Sequence, residues 1–179
     1  MLEQLLGDDV DDSGKYLAEV IYGANDGIVT TFAVVAGVAG AALSPSIVLI
    51  LGAANLFADG FSMGMSNYLS RRSEEDYQEA RRGAASGNAD GKDAWKTALV
   101  TFLAFVVAGW APLIPYILGL PDGFRLSVVV TGITFFLVGA SRSLVTDRRW
   151  WRNGAEMFVV GMAAATVAFV VGDLLKGLA

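Results

Sequence analysis

The chain has 179 residues, 54% hydrophobic and 17% charged, with 18 acidic side chains against 13 basic ones and a formal net charge of −5. Soluble domains are about a quarter charged, and binding nucleic acid needs a basic face to neutralise phosphates. The composition therefore excludes a nucleic-acid partner and points away from water as the solvent. Cysteine and histidine are absent, which removes disulfide scaffolds, Cys/His zinc sites, His-held haem and Ser-His or Cys-His nucleophile pairs.

The N-terminal stretch carries Asp8, Asp9, Asp11 and Asp12, whereas a secretory signal opens with a basic region followed by an apolar core. Tyr16, Leu17, Val20 and Ile21 recur at helical spacing, which predicts a short interfacial helix closing an N-terminal region of residues 1–22. Residues 23–179 read as a single five-helix transmembrane domain. Residues 27–58 and 60–70 hold no charge, so Asp59 alone interrupts a long apolar tract. Leu43-Ser44-Pro45-Ser46 divides that tract in two. Segment 71–94 begins helical, with Arg71–Glu75 and Arg72–Asp76 as i,i+4 pairs, and ends in a Gly/Ser/Asn linker. Residues 97–121, 126–141 and 157–172 are again uncharged, and Gly119-Leu120-Pro121-Asp122-Gly123 breaks the first of these from the second.

A spanning helix needs about 20 mostly apolar residues to cross about 30 Å of hydrocarbon. Five spans follow, near 24–43, 47–70, 95–118, 126–146 and 154–176. Their tracts lack the polar stripe that buried helices of a soluble bundle would show. Alternating spans put Lys15, Arg71, Arg72, Arg81, Arg82, Lys92, Lys96, Arg142, Arg148, Arg149 and Arg152 on one side, and only Arg125 and Lys176 on the other. Retention of Lys and Arg in cytoplasmic loops sets the orientation. The fold class is an all-α integral membrane protein with five transmembrane helices, N-terminus cytoplasmic and C-terminus outside. Trp95, Trp150 and Trp151 fall where an aromatic belt belongs.

Polar groups at membrane depth carry the function. A charge at the bilayer centre costs about 2.5–3.5 kcal/mol on the most lenient scale, so each needs a reason. Asp26 opens span 1, Asp59 sits near the middle of span 2, and Glu156 and Asp173 lie near the ends of span 5. Asn55, Asp59, Met63 and Asn67 recur every fourth residue and present an amide, a carboxylate, a thioether and a second amide along one face. Oxygen ligands with one soft sulfur suit Fe²⁺ or Mn²⁺ better than Mg²⁺ or Ca²⁺. Gly23 with Gly27, and Gly60 with Gly64, permit close helix approach that would bring Asp26 and Asp59 together.

Three blocks carry a resemblance: GANDGIVTTFAVVAGVAGA (23–41), ANLFADGFSMGMSNYLSRRSE (54–74) and GAEMFVVGMAAATVAFVVGDLL (154–175), with APLIPY at 111–116. In these blocks, their order and the five-span pattern, the chain resembles the vacuolar iron transporter family, as a short, prokaryotic-type member. The resemblance implies a homodimer in the lipid bilayer that moves Fe²⁺, and often Mn²⁺, out of the cytosol in exchange for protons. The metal is then a substrate, with no permanently bound cofactor and no enzymatic activity. The implied path lies between protomers and is lined by spans 1 and 2. The family's span 1 aspartate corresponds to Asp26, and the methionine of its Ser-Met pair to Met63. Plant-type members place a glutamate eight residues before that methionine; this chain has Asn55 there and its carboxylate one turn later, at Asp59.

The expected metal path is thus Asp26, Asp59, Met63 and Asn55, with Asn67 and Glu156 as further candidates. Plant-type members also carry a long Glu-rich insertion between spans 2 and 3, where this chain has only segment 71–94. Glu74, Glu75, Asp76 and Glu79 there read as a solvated face paired with Arg71, Arg72 and Arg82. The compact loop favours a prokaryotic plasma membrane. Two rival readings are an intramembrane aspartyl protease and a non-transporting scaffold. The first lacks its Tyr-Asp and Gly-x-Gly-Asp surroundings, since Asp26 follows Asn25 and Asp59 follows Ala58.

Overall fold

The structure, a computed structural model, describes residues 14–82, 92–144 and 148–177. The Asp8–Asp12 run and the linker after Arg82 lie outside the described residues. Helix α1 runs Leu17–Gly40, α2 Pro45–Arg82, α3 Ala94–Gly109, α4 Ile114–Ile117, α5 Gly123–Ser141 and α6 Trp150–Leu175. Single 3-10 turns at Ala111–Leu113 and Arg142–Leu144 follow α3 and α5. Helices α3 and α4 form one span, Ala94–Ile117, so five helical segments are long and apolar enough to cross a membrane.

Local chemistry explains the boundaries. Between α1 and α2, Ala42 takes a left-handed conformation (φ 57°), and Pro45 occupies the first helical position of α2, where its missing N–H costs nothing. Asp93 caps α3 by accepting from the Trp95 and Lys96 backbone N–H groups at 2.8 and 3.4 Å. Pro112 and Pro115 interrupt the end of that span. The buried Ser127 hydroxyl donates to the Pro112 carbonyl at 2.6 Å, satisfying a group that hydrocarbon could not. Gly119 and Asp122, both with positive φ, make the turn into α5.

Two expected boundaries shift. Helix α1 runs unbroken from Leu17, so the anticipated separate interfacial helix is its opening turns. Nothing in 17–23 breaks a helix, and Gly23 is held by packing. Helix α2 continues to Arg82, and 38 residues at a rise of 1.5 Å give about 57 Å, so it projects well beyond a 30 Å core.

Helix α1 is central, in contact with α2, α3, α5 and α6. Phe32, Val35 and Val38 pack with Val48, Leu113 and Ala165; a second cluster joins Ile28, Phe135 and Met157. The outer faces are equally apolar: Val107 is 72% exposed and Leu137 61%, which suits lipid rather than water. At one end, Lys92 pairs with Glu19 at 2.8 Å, tying the start of α3 to α1. The Tyr68 and Trp95 rings meet edge to face there, and Arg142 and Glu156 line a cavity with Ala18 and Tyr22. The basic residues that sequence assigned to one side therefore share one end of the bundle.

Candidate functional site

Helix α3 is the platform on which the site is assembled. A methyl group on Gly27 would collide with the Phe105 main chain, and one on Gly23 would sit 2.6 Å from the Thr101 carbonyl oxygen. On α2, Gly64 docks against the Ala98 carbonyl and Phe102, and Gly60 against Phe102, Phe105 and Val106. Both small-residue pairs are thus spent on α3. Asp26 immediately precedes Gly27 and Asp59 immediately precedes Gly60, so docking both glycines on one stretch of α3 sets the two aspartates at the same level on adjacent helices. Both residues are partly buried.

The stripe on α2 is only partly a single face. Each step of four residues turns about 40° beyond a full helical turn, so Asn55, Asp59, Met63 and Asn67 wind around the helix. By Asn67 the winding has reached α3: its amide donates to the Thr101 hydroxyl at 2.7 Å, and Thr101 donates to the Thr97 carbonyl at 2.9 Å. Asn67 is held as a packing hydrogen bonder. Asn55 and Met63 flank Asp59 by one turn on either side, and both are partly buried.

Glu156 is not brought to this stripe. Its carboxylate lies 3.7 Å from Arg148, in an open cavity of about 430 Å³ shared with Tyr22, Asn25 and Arg142. Arg125 stands at the opposite end of the bundle, near Tyr116 and Asp122, so it does not meet Glu156. Asp173 pairs with Lys176 at 2.9 Å, both exposed. On the projecting end of α2 the observed pairs are Arg71–Glu74 at 3.7 Å and Arg72–Glu75 at 3.4 Å. They are one residue closer than the expected i,i+4 pairs, because a helix presents both neighbours to an arginine. Among the described residues, no three His, Cys, Asp or Glu side chains converge.

Sequence reasoning missed Thr101, which holds the Asn67 amide, and Thr97, whose carbonyl accepts from Thr101. Their i,i+4 spacing inside an uncharged run was the available signal, read only as part of an apolar tract.

Comparison with known proteins bears on the whole bundle. Over 92% of this chain and 76% of the relative, the sequence is 29% identical to the vacuolar iron transporter of Toxoplasma gondii. It is 27% identical to vacuolar iron transporter 1 of Arabidopsis thaliana, covering 92% of this chain and 88% of that protein. It is 26% identical to the vacuolar iron transporter of Plasmodium berghei, covering 90% and 82%. The profile described as the VIT family matches residues 17–86 and 81–173, almost all of the spanning region. The chain belongs to the VIT family.

Proposed function

We propose that this protein is a transporter that moves Fe²⁺, and Mn²⁺, out of the cytosol in exchange for protons. The observation that supports the reading is the docking of Gly27 and Gly60, the neighbours of Asp26 and Asp59, on one stretch of α3. Two carboxylates under-coordinate a divalent ion that favours about six ligands. A second copy across a two-fold axis, with α2 at the interface, brings the total to four carboxylates and two Met63 thioethers, with Asn55 at the margin. Helix α2 offers the surface for this, since Phe57 is 50% and Phe61 64% exposed.

Exchange follows from competition. Protons are the alternative partners of these carboxylates when no metal is bound. Arrival of a divalent cation favours the deprotonated forms and releases those protons. Sulfur from Met63 biases the path towards softer ions over Mg²⁺. The end bearing the arginines faces the cytosol, and the short connection after α2 supports a prokaryotic plasma membrane.

Reconstituted protein is expected to carry Fe²⁺ across liposome membranes under an imposed pH gradient, and Asp59→Asn to abolish that flux. Full proton-coupled flux in Asp59→Asn would remove Asp59 from the mechanism. A thermal-shift series separates transport from a scaffold role: Fe²⁺ and Mn²⁺ should raise the unfolding midpoint and Mg²⁺ should not, whereas a scaffold responds to none of them.

A further inference from the structure

A groove of about 600 Å³ runs between α5 and α6, remote from the Asp26–Asp59 pair. Its size is that of a ligand site, for which about 300–1,000 Å³ is usual. Gly132, Ala155, Val129, Ile133, Phe136 and Phe158 are among its lining, which is apolar throughout. Along α5 it extends from Val128 to Leu137. At 1.5 Å per residue that is about 14 Å, centred on the middle of the Gly123–Ser141 span.

The ends of the groove differ in chemistry. At the α6 N-terminus the Trp150 ring stands edge-on to Phe136 of the wall, with centroids 5.9 Å apart. Trp151 shares the helical face of Ala155 and Phe158. The guanidinium of Arg152 lies over the Trp151 ring at 5.2 Å, and Arg149 beside it is exposed. Arg148, adjacent in sequence, is engaged with Glu156. Two arginines and two tryptophans therefore gather at the α6 N-terminus, beyond the Phe136 end of the slot. Basic pockets between transmembrane helices at the membrane surface are sites for anionic headgroups, and tryptophan anchors at the headgroup level.

We propose that this groove is a binding site for one anionic phospholipid per protomer, with an acyl chain between α5 and α6 and the headgroup phosphate at Arg149 and Arg152. Charge complementarity at the mouth selects an anionic lipid over a zwitterionic one. The groove supplies the affinity for the chain.

Native mass spectrometry of the full-length protein, released from micelles doped with equal amounts of phosphatidylglycerol and phosphatidylcholine of identical chains, tests this. The expected result is one phosphatidylglycerol retained per protomer, at least fivefold over phosphatidylcholine. Arg149→Gln with Arg152→Gln should erase that preference. Ala155→Phe, at an exposed position, should cut retention of both lipids by filling the slot, and Ala155→Leu serves the same purpose if the larger ring impairs folding. Equal retention of the two lipids by the natural sequence overturns the proposal, as does an undiminished preference in the double arginine variant. Displacement by glycerophosphate as effective as by the whole lipid would mark a phosphate site without a chain and also overturn it. So would a change of oligomeric mass in either Ala155 variant, which would assign the groove to a second copy of the chain. None of these readouts depends on metal transport.

Discussion

Asp59 and Asn67 lie two helical turns apart on the same helix and meet different fates. The difference is angular: the winding leaves Asp59 next to the docked Gly60 and carries Asn67 onto Thr101. Replacing Asn67 with alanine should therefore cost stability and spare transport. Loss of the hydrogen bond is expected to lower stability by about 1 kcal/mol, read as a lower unfolding midpoint in detergent, with the apparent KM for Fe²⁺ unchanged. Met63→Leu should do the reverse. It keeps the volume, so the stability change stays under about 1.5 kcal/mol, but it removes the thioether and should raise the KM for Fe²⁺ several-fold. The candidate donors were legible in the sequence, because a carboxylate inside an uncharged spanning tract is costly to keep. Their individual directions were not, because a spacing of four only approximates a helical period of 3.6.

At the scale of elements, the glycine pairs decide the geometry. Sequence spacing marked Gly23, Gly27, Gly60 and Gly64 as contact points without naming the partner; both pairs use α3. Gly27→Ala should be damaging, since the added methyl meets the Phe105 main chain, which has no rotamer by which to yield. Overpacking of this kind costs typically about 1–3 kcal/mol, and by displacing α1 it should reduce flux as well. Gly37→Ala is the matched control. Its new methyl would find only the Ala168 carbonyl oxygen at 3.8 Å, and alanine in a helix interior is preferred by about 0.5–1 kcal/mol. The midpoints of the two variants should move in opposite directions. A fall in both would mean that α1 is tightly packed along its whole length.

For the whole molecule, the sorting of charge is the strongest directional feature. The ends of α2 and α5 and the starts of α1, α3 and α6 gather at one pole, held there by Lys92–Glu19 and Tyr68–Trp95. Arg125 and Lys176 occupy the other. The chain has no native cysteine, so single substitutions report topology cleanly. Ser73→Cys should react with an impermeant maleimide only from the cytosolic face, and Ser44→Cys only from the opposite one. The reverse pattern would invert the proposed direction of transport. In a gentle detergent the protein should run at twice its 18.8 kDa chain mass; a strict monomer would leave Asp26 and Asp59 without the second set of ligands that the proposed path requires.

By itself the sequence determined the class, the five spans and the end to which most basic residues go. Each follows from one-dimensional quantities: the length of uncharged runs against bilayer thickness, and the alternation of sides at every crossing. It also marked Asp26 and Asp59 as candidates, since the cost of a buried charge depends on depth, which position along a span reports. Only the tertiary structure decided that α3 is the common seat of both helices. It likewise decided that Asn67 belongs to packing, and that Glu156 faces Arg148 and the α1–α6 cavity instead of the Asp59 stripe. Those outcomes depend on which side of each helix turns toward which neighbour, and that choice is made by the packing of all five spans at once.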